Sequence, residues 1–250
     1  MRIFIDVGGY NGHSTLAALD PIFGFDRIYC FEPVPSLAQG IREIADPRVV
    51  VIEAALSDRD GVSTLVHAGT LAGSLIQDAP SYIEEGEKIN VRTVRASMFL
   101  PNLVPEGAFV RTKFNCEGAE YSIIMDILRN GSPKFQKQIL DYSLIDFDID
   151  KIPSTKGLRK QIEKELESAT IKYLIPSECQ YGMVSNYGGI RNYLLISRAC
   201  IKEKQISLLK SIIYNLKMFR NRELNGYHKM RILRAIPPLR VFARSGKSFE

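Results

Sequence analysis

Asp6, Gly8, Gly9 and Gly12 stand in the stretch FIDVGGYNGHST, residues 4–15, where an acid near the end of an apolar run is followed by three glycines within five positions. Glycine lets the backbone take positive φ and lets a ligand lie against the main chain. The order is strand, loop, helix, with Asn11 in the loop and His13 on the first helical turn. In a parallel α/β sheet this is where a nucleotide-like ligand binds, outside the carboxyl ends of the strands. Neither the dinucleotide spacing Gly-x-Gly-x-x-Gly nor a Walker lysine is present. A second acid, Glu32, closes the next apolar run, IYCFEP, some 20 residues after the loop. An acid there can accept both hydroxyls of a ribose. The third run ends EAALSD and places Ser57 and Asp58 where an adenine ring would lie. A plain strand-to-helix turn and a solvated glutamate remain the bland alternatives for each feature taken alone.

The elements that must position these groups show as periodicity. RIFIDV (2–7) and RIYCFEP (27–33) read as strands, and NGHSTLAALD (11–20) as a short helix. PSLAQGIREIAD (35–46) is a helix with Ser36 as its expected N-cap. VVVIEAAL (49–56) is a continuous apolar run, the pattern of a strand buried on both faces. This βαβαβ order predicts an α/β fold with a parallel, doubly wound sheet. VSTLVHA (62–68) follows as a hairpin strand, and 69–88 as a loop or lid. INVRTVRA (89–96) and AFVRTKFN (108–115) are strands, the second leading into a helix that Gly131 stops. QILDYSLIDFDID (138–150) reads as a strand ending in acids, and GLRKQIEKELESA (157–169) as a helix. IKYLIP and RNYLLISR (191–198) are expected to form an antiparallel pair, giving a mostly parallel central sheet with an antiparallel edge strand.

Composition bounds the class. The chain has 250 residues, 45% hydrophobic and 24% charged, the balance of a globular α/β domain with additions. No apolar run approaches the roughly 20 residues that span a bilayer, and the N-terminus shows no signal-peptide pattern. Cys30, Cys116, Cys179 and Cys200 are scattered without CxxC spacing, which suits a reduced, cytoplasmic protein. Charge is uneven: residues 202–250 hold 12 Lys/Arg and 3 Asp/Glu, a net of +9, against −4 for the rest. The reading is a domain over 1–200 and a basic helical extension over 201–250. In the extension Ile206, Leu209, Ile213, Leu216 and Phe219 fall at helical spacing among lysines and arginines. Such a helix serves an anionic membrane surface or glycan, or packs on the body or on a second copy in a homo-oligomer. Nothing matches a nucleic-acid-binding module.

Four blocks in register, FIDVGGYNGHST, IYCFEP, AALSDRDG and KFNCEGAEYSII, resemble the FkbM family of S-adenosylmethionine-dependent O-methyltransferases. In that family the blocks run approximately FIDVGAN-G-YT, V-AFEP, ALSD--G and LKIDVEGAE. The resemblance covers roughly residues 3–130, and more weakly to about 197. It implies a class I, Rossmann-like methyltransferase fold, S-adenosylmethionine as cofactor, and a hydroxyl acceptor, often on a sugar or a glycosylated product. Asp6, Gly8, Asn11 and Gly12 match the first block, Glu32 the ribose acid, Ser57 and Asp58 the third block, and Glu117, Gly118 and Glu120 the fourth. Two positions depart from it: Asn115 stands where the family has Asp, and His13 where it tends to carry an aromatic.

Methyl transfer to a sugar hydroxyl needs the acceptor oxygen on the donor axis and a route for its proton. His13, Asn115 and Glu117 are the candidate catalytic residues, with Glu120, Asp146 and Asp148 also at strand ends. His13 titrates near neutrality, or simply packs on the loop. Glu117 is a base, or caps the helix that follows it. Asn115 offers only an amide. The run DFDID (146–150) could hold a divalent cation through oxygens, or be solvated. The expectation is an O-methyltransferase acting on a carbohydrate of a surface polysaccharide, glycolipid or glycosylated metabolite, cytoplasmic and peripheral to the inner face of the membrane. A natural-product O-methyltransferase, a nucleic-acid methyltransferase and a catalytically weak cofactor-binding protein are the alternatives. With the first strand starting at residue 2, cover for the cofactor is expected from 69–88 or from the basic extension.

Overall fold

A computed structural model of the chain describes residues 1–80, 86–179, 187–200 and 213–214. Three strands, β1 (Arg2–Val7), β2 (Arg27–Phe31) and β3 (Val49–Ile52), alternate with α1 (His13–Ala18) and α2 (Pro35–Arg42). An excursion follows through β4 (Ala55–Ser57), β5 (Gly61–Ala68) and β6 (Glu87–Arg95), then α3 (Ala96–Leu103). The second half runs β7 (Phe109–Phe114), α4 (Glu120–Asn130), α5 (Pro133–Leu140), β8 (Ser143–Ile145), α6 (Leu158–Ser168), β9 (Tyr173–Leu174) and α7 (Tyr187–Cys200).

Among the described residues six strands form one sheet in the order β3-β2-β1-β7-β8-β9, and every neighbouring pair is parallel. The excursion makes a second sheet, β4-β6-β5, in which β5 and β6 are antiparallel. The strand order reverses between β1 and β7, and such a switch point opens a crevice at the carboxyl ends of the two strands. Both faces of the large sheet are covered, which is why β1 is apolar almost throughout. Ile3, Ile5 and Val7 join the core beneath α4, while Phe4 faces α1 and α7 with Ile28, Tyr193 and Leu194.

Several expectations give way to the structure. The antiparallel pair at the sheet edge is absent: β9 runs parallel to β8, and residues 191–198 lie within helix α7. Ile190, Tyr193, Leu194 and Ser197 are among its buried residues, at the i, i+3, i+4, i+7 spacing of a helix face. The Tyr193 hydroxyl donates to the carbonyls of Thr112 and Tyr142 at 3.1 and 2.8 Å, fixing the helix across β7 and β8. VVVIEAAL splits into β3 and β4 in different sheets, because the chain turns at Glu53–Ala54 with Ala54 N–H bonded to the Ile52 carbonyl. The N-cap of α2 is Val34 rather than Ser36, with Pro35 at the first helical position where its missing N–H costs nothing. Helices α3, with Pro101 inside it, and α5, capped by Ser132, were not foreseen. Gly131 does end α4.

Of the basic extension only Ile213 and Tyr214 are described, so its helix over 201–250 lies outside the described residues. Tyr214 donates its hydroxyl to the Leu16 carbonyl at 2.6 Å, while Ile213 is 47% exposed. Among the described residues no helix is long and apolar enough to cross a membrane.

Helix α7 is also held by charge. Arg191 Nε lies 3.0 Å from Asp20 Oδ2, and both side chains are almost wholly buried. Removing one partner of such a pair costs about 3–5 kcal/mol. Asp20→Ala should lower the stability read from the urea midpoint by about that amount, and a change below 1 kcal/mol would show that α7 does not rely on the pair.

Candidate active site

At the end of β1 the chain enters a loop whose shape only glycine allows. Gly8 and Gly12 have φ of 81° and 76°, and the N–H groups of Gly8 and Gly9 share the Phe31 carbonyl at 3.1 Å. A Cβ on Gly8 would stand 1.9 Å from the Asn115 carbonyl oxygen, and one on Gly9 2.3 Å from Cys30 Sγ. Asp6 anchors the loop from beneath. Its carboxylate accepts from the hydroxyls of Ser14 and Thr15 and pairs with Lys113 Nζ at 2.9 Å, all of it buried. The same Nζ donates to the Gly8 carbonyl at 2.5 Å.

Above this loop lies a cavity of about 280 Å³. Gly8, Gly9, Tyr10 and Glu32 line it at the β1–β2 end; Asn115, Glu117, Asp146, Asp148 and Lys151 line it at the β7–β8 end. Residues 69–73 and Leu75 add a wall, so part of the expected lid does face the site. Glu32 accepts the N–H of Tyr10 at 2.7 Å and of Val34 at 2.9 Å, one on each carboxylate oxygen. Burial pushes its carboxyl up to about 7 despite those two bonds.

The far end is crowded with acids. Glu117 sits at φ 49°, a left-handed conformation rare for a residue with a side chain, and is followed by Gly118 at 103°. Its carbonyl accepts the Ser74 hydroxyl at 2.5 Å, which ties the 69–79 segment to the site. Burial and the nearby Asp148 hold the Glu117 carboxyl well above the usual range. Glu120, fully buried behind it, accepts the N–H groups of Cys116 and Gly118 at 3.0 and 3.1 Å and is also pushed up by burial. Burial followed by the Asp148 charge raises Asp146 to about 6. Asp148 Oδ1 is ion-paired with Lys151. Its Oδ2 is buried without a hydrogen-bond partner among the described residues, and so is Asn115 Oδ1.

Of the sequence candidates, the cavity brings together Gly8, Gly9, Glu32, Asn115 and Glu117, with Asp6 directly below. Asn11 accepts the His13 N–H at 3.3 Å, Gly12 backs onto Ile41, and His13 starts α1; none of the three lines the cavity. Ser57 and Asp58 are off the wall as well. Ser57 pairs with Arg95 in the second sheet and donates to Asp58 at 3.1 Å, while Ala55 and Leu56 line the cavity at that side. The sequence offers one signal for Lys113, a lysine within the short strand run AFVRTKFN, and none for Lys151. Among the described residues no three His, Cys, Asp or Glu are grouped so as to hold a metal ion. Comparison with protein-family models, with curated proteins and with solved structures returned no match.

The raised Asp146 carboxyl carries a stability consequence. Its folded value of about 6 exceeds the ordinary 3.8, so the fold bears a penalty above pH 6 that fades as pH falls and is gone below about 4. Asp146→Asn should therefore stabilise the ligand-free protein at pH 8 by on the order of 1–2 kcal/mol. Thermal unfolding at pH 8 and pH 4 checks this: the gain must shrink at the lower pH, and a gain independent of pH would refute the linkage.

Proposed function

We propose that this chain is an S-adenosylmethionine-dependent O-methyltransferase whose acceptor is a carbohydrate hydroxyl. The observation that carries this reading is the charge of the cavity. Lys113 is committed to Asp6 and the Gly8 carbonyl, and Lys151 to Asp148. The rest of the lining holds Glu32, Glu117, Asp146 and Asp148 among neutral residues and no further cation, so a diphosphate would meet carboxylates with no free positive charge to offset them. A sulfonium donor meets no such conflict. Gly8 and Gly9 let the loop fold tightly against β2 and β7 and line the cavity without side chains, and Glu32, fixed by two N–H bonds, keeps lone pairs for the ribose hydroxyls.

When bound, S-adenosylmethionine supplies an electrophilic methyl group for in-line attack by the acceptor oxygen. The residues of this chain then have distinct tasks. The glycine loop and Glu32 hold the donor in one orientation, the larger share of what such a reaction needs. Glu117, with its carboxyl raised towards neutrality, takes the proton that the acceptor hydroxyl loses. Asn115 serves as a hydrogen-bond acceptor through its buried Oδ1. His13 is away from the cavity lining, so the base is assigned to Glu117.

A second reading, binding of the cofactor without turnover, is favoured by Asn115, which stands where the resembled family has an acid. One set of measurements separates the two. Calorimetric titration with adenosylhomocysteine should show binding, weakened about 10- to 100-fold by Glu32→Ala as charge-assisted bonds are lost. Glu117→Gln should cut kcat about 10²- to 10⁴-fold while leaving adenosylhomocysteine affinity in place. Mass spectrometry of host glycans after gene deletion should show a methyl group missing. Absence of adenosylhomocysteine binding sinks the donor assignment; binding with no missing methyl favours the second reading.

A further inference from the structure

The carboxyl ends of β2 and β8 are separated by β1 and β7, a span of about 14 Å at ordinary strand spacing. A donor with its ribose at Glu32 and its amino-acid portion on the glycine loop occupies the β2–β1 side. The β7–β8 side is left to the acceptor, and it is built of carboxylates: Glu117 after β7, Asp146 and Asp148 after β8. An ammonium already sits among them, that of Lys151 on Asp148 Oδ1. Its own side chain is 54% exposed, so this cation reaches the acids from the rim.

Two oxygens remain unanswered. Asp148 is 2% exposed, yet its Oδ2 has no partner among the described residues, and the Asn115 Oδ1 beside the same cavity has none either. A buried acceptor left without a donor costs the full desolvation of that group, so a ligand that supplies donors at this point recovers it. A neutral hydroxyl brings one donor and no charge. A protonated amine brings three donors and a positive charge, matching both the orphaned oxygens and the carboxylates around them. A phosphate or carboxylate on the acceptor would be repelled.

We propose that the β7–β8 end of the cavity recognises a protonated amine on the acceptor, making the substrate an amine-bearing hydroxyl compound of the amino-sugar class. This rests on the methyl-transfer reading for which end the donor takes, but on Asp148 and Asn115 for the amine itself.

The test uses the full chain and matched sugars: the methyl glycosides of glucosamine, galactosamine and mannosamine, each against its N-acetyl form, titrated calorimetrically with and without saturating adenosylhomocysteine. At least one free amine should bind about tenfold or more tightly than its N-acetyl counterpart. Asp148→Asn should erase that preference and Asp146→Asn should reduce it. The N-acetyl comparison on the unaltered protein stands even where a variant fails to fold. Equal binding of the two forms, or no binding of any amine, overturns the inference. Loss of amine binding in the presence of adenosylhomocysteine also overturns it, by giving the site to the cofactor's own ammonium. Amine binding without adenosylhomocysteine binding would instead leave the inference standing and retire the methyl-transfer reading.

Discussion

A lysine ammonium and an aspartate carboxylate, both buried to within 1% of complete, face each other across the two strands where the sheet reverses its order. Desolvating two charges is expensive, and the pair is tolerable only because each ion is fully engaged. Asp6 takes the hydroxyls of Ser14 and Thr15 in addition to Lys113, and Lys113 adds the Gly8 carbonyl. That arrangement joins four pieces of chain: β1, β7, the glycine loop and the first turns of α1. The loop can then turn back with Gly8 pressed against the Asn115 carbonyl, an approach that leaves no room for a side chain. The crevice between β1 and β7 is thus a consequence of one satisfied ion pair, and the residues around the cavity inherit their places from it.

The acids on the far side obey the opposite logic. Burial raises the affinity of Glu117, Glu120, Asp146 and Asp148 for protons, and the charge of Asp148 adds to it in the other three. A fold selected for stability alone would not gather them. Glu117 adds a left-handed backbone, a conformation that costs of order 1–3 kcal/mol for a residue with a side chain. Strain and charge repulsion concentrated beside a cavity are the mark of a site arranged for a ligand, since a bound cation relieves the second and can use the first.

Much of this frame was legible in the chain. Strands β1, β2 and β7 are short apolar runs with clear punctuation, and the parallel α/β class follows from their alternation with helices. Glu32 could be placed at the cavity because it closes the second apolar run, IYCFEP, some 20 residues after the glycine loop. What failed did so for identifiable reasons. RNYLLISR is apolar enough for a strand, but its burial follows helical spacing through Ile190, Tyr193 and Leu194, which begins outside the run that was read. VVVIEAAL carries no internal break, so the turn that moves Ala55–Ser57 into a second sheet is set by tertiary pairing with β6. Ser57 and Asp58 are carried off the cavity wall by that same turn. Lys113 is hard to place from sequence because a lysine reads as solvated until its partner is known, and the partner lies 107 positions away in sequence.

The acid end is also braced by contacts from two segments, and this bears on how it selects. Gly118 allows Ile152 and Ile76 to close over the start of α4; a Cβ there would come within 2.4 Å of Ile152. Val66, Ala79, Ile152 and Ile76 pack into a small apolar cluster that joins the 69–79 segment to the turn after β8. Asp78 fastens the same two segments through the N–H and hydroxyl of Ser154 at 3.0 and 2.6 Å. Ser74 then holds the Glu117 carbonyl. With the acids fixed from both sides, Asp148 Oδ2 and Asn115 Oδ1 have no easy route to partners of their own. Preorganised acceptors of this kind discriminate by what a ligand brings, since a ligand without donors leaves them unpaired at full cost. Selection at this end is therefore by charge and donor count, and the apolar clamp behind Gly118 is what keeps it so.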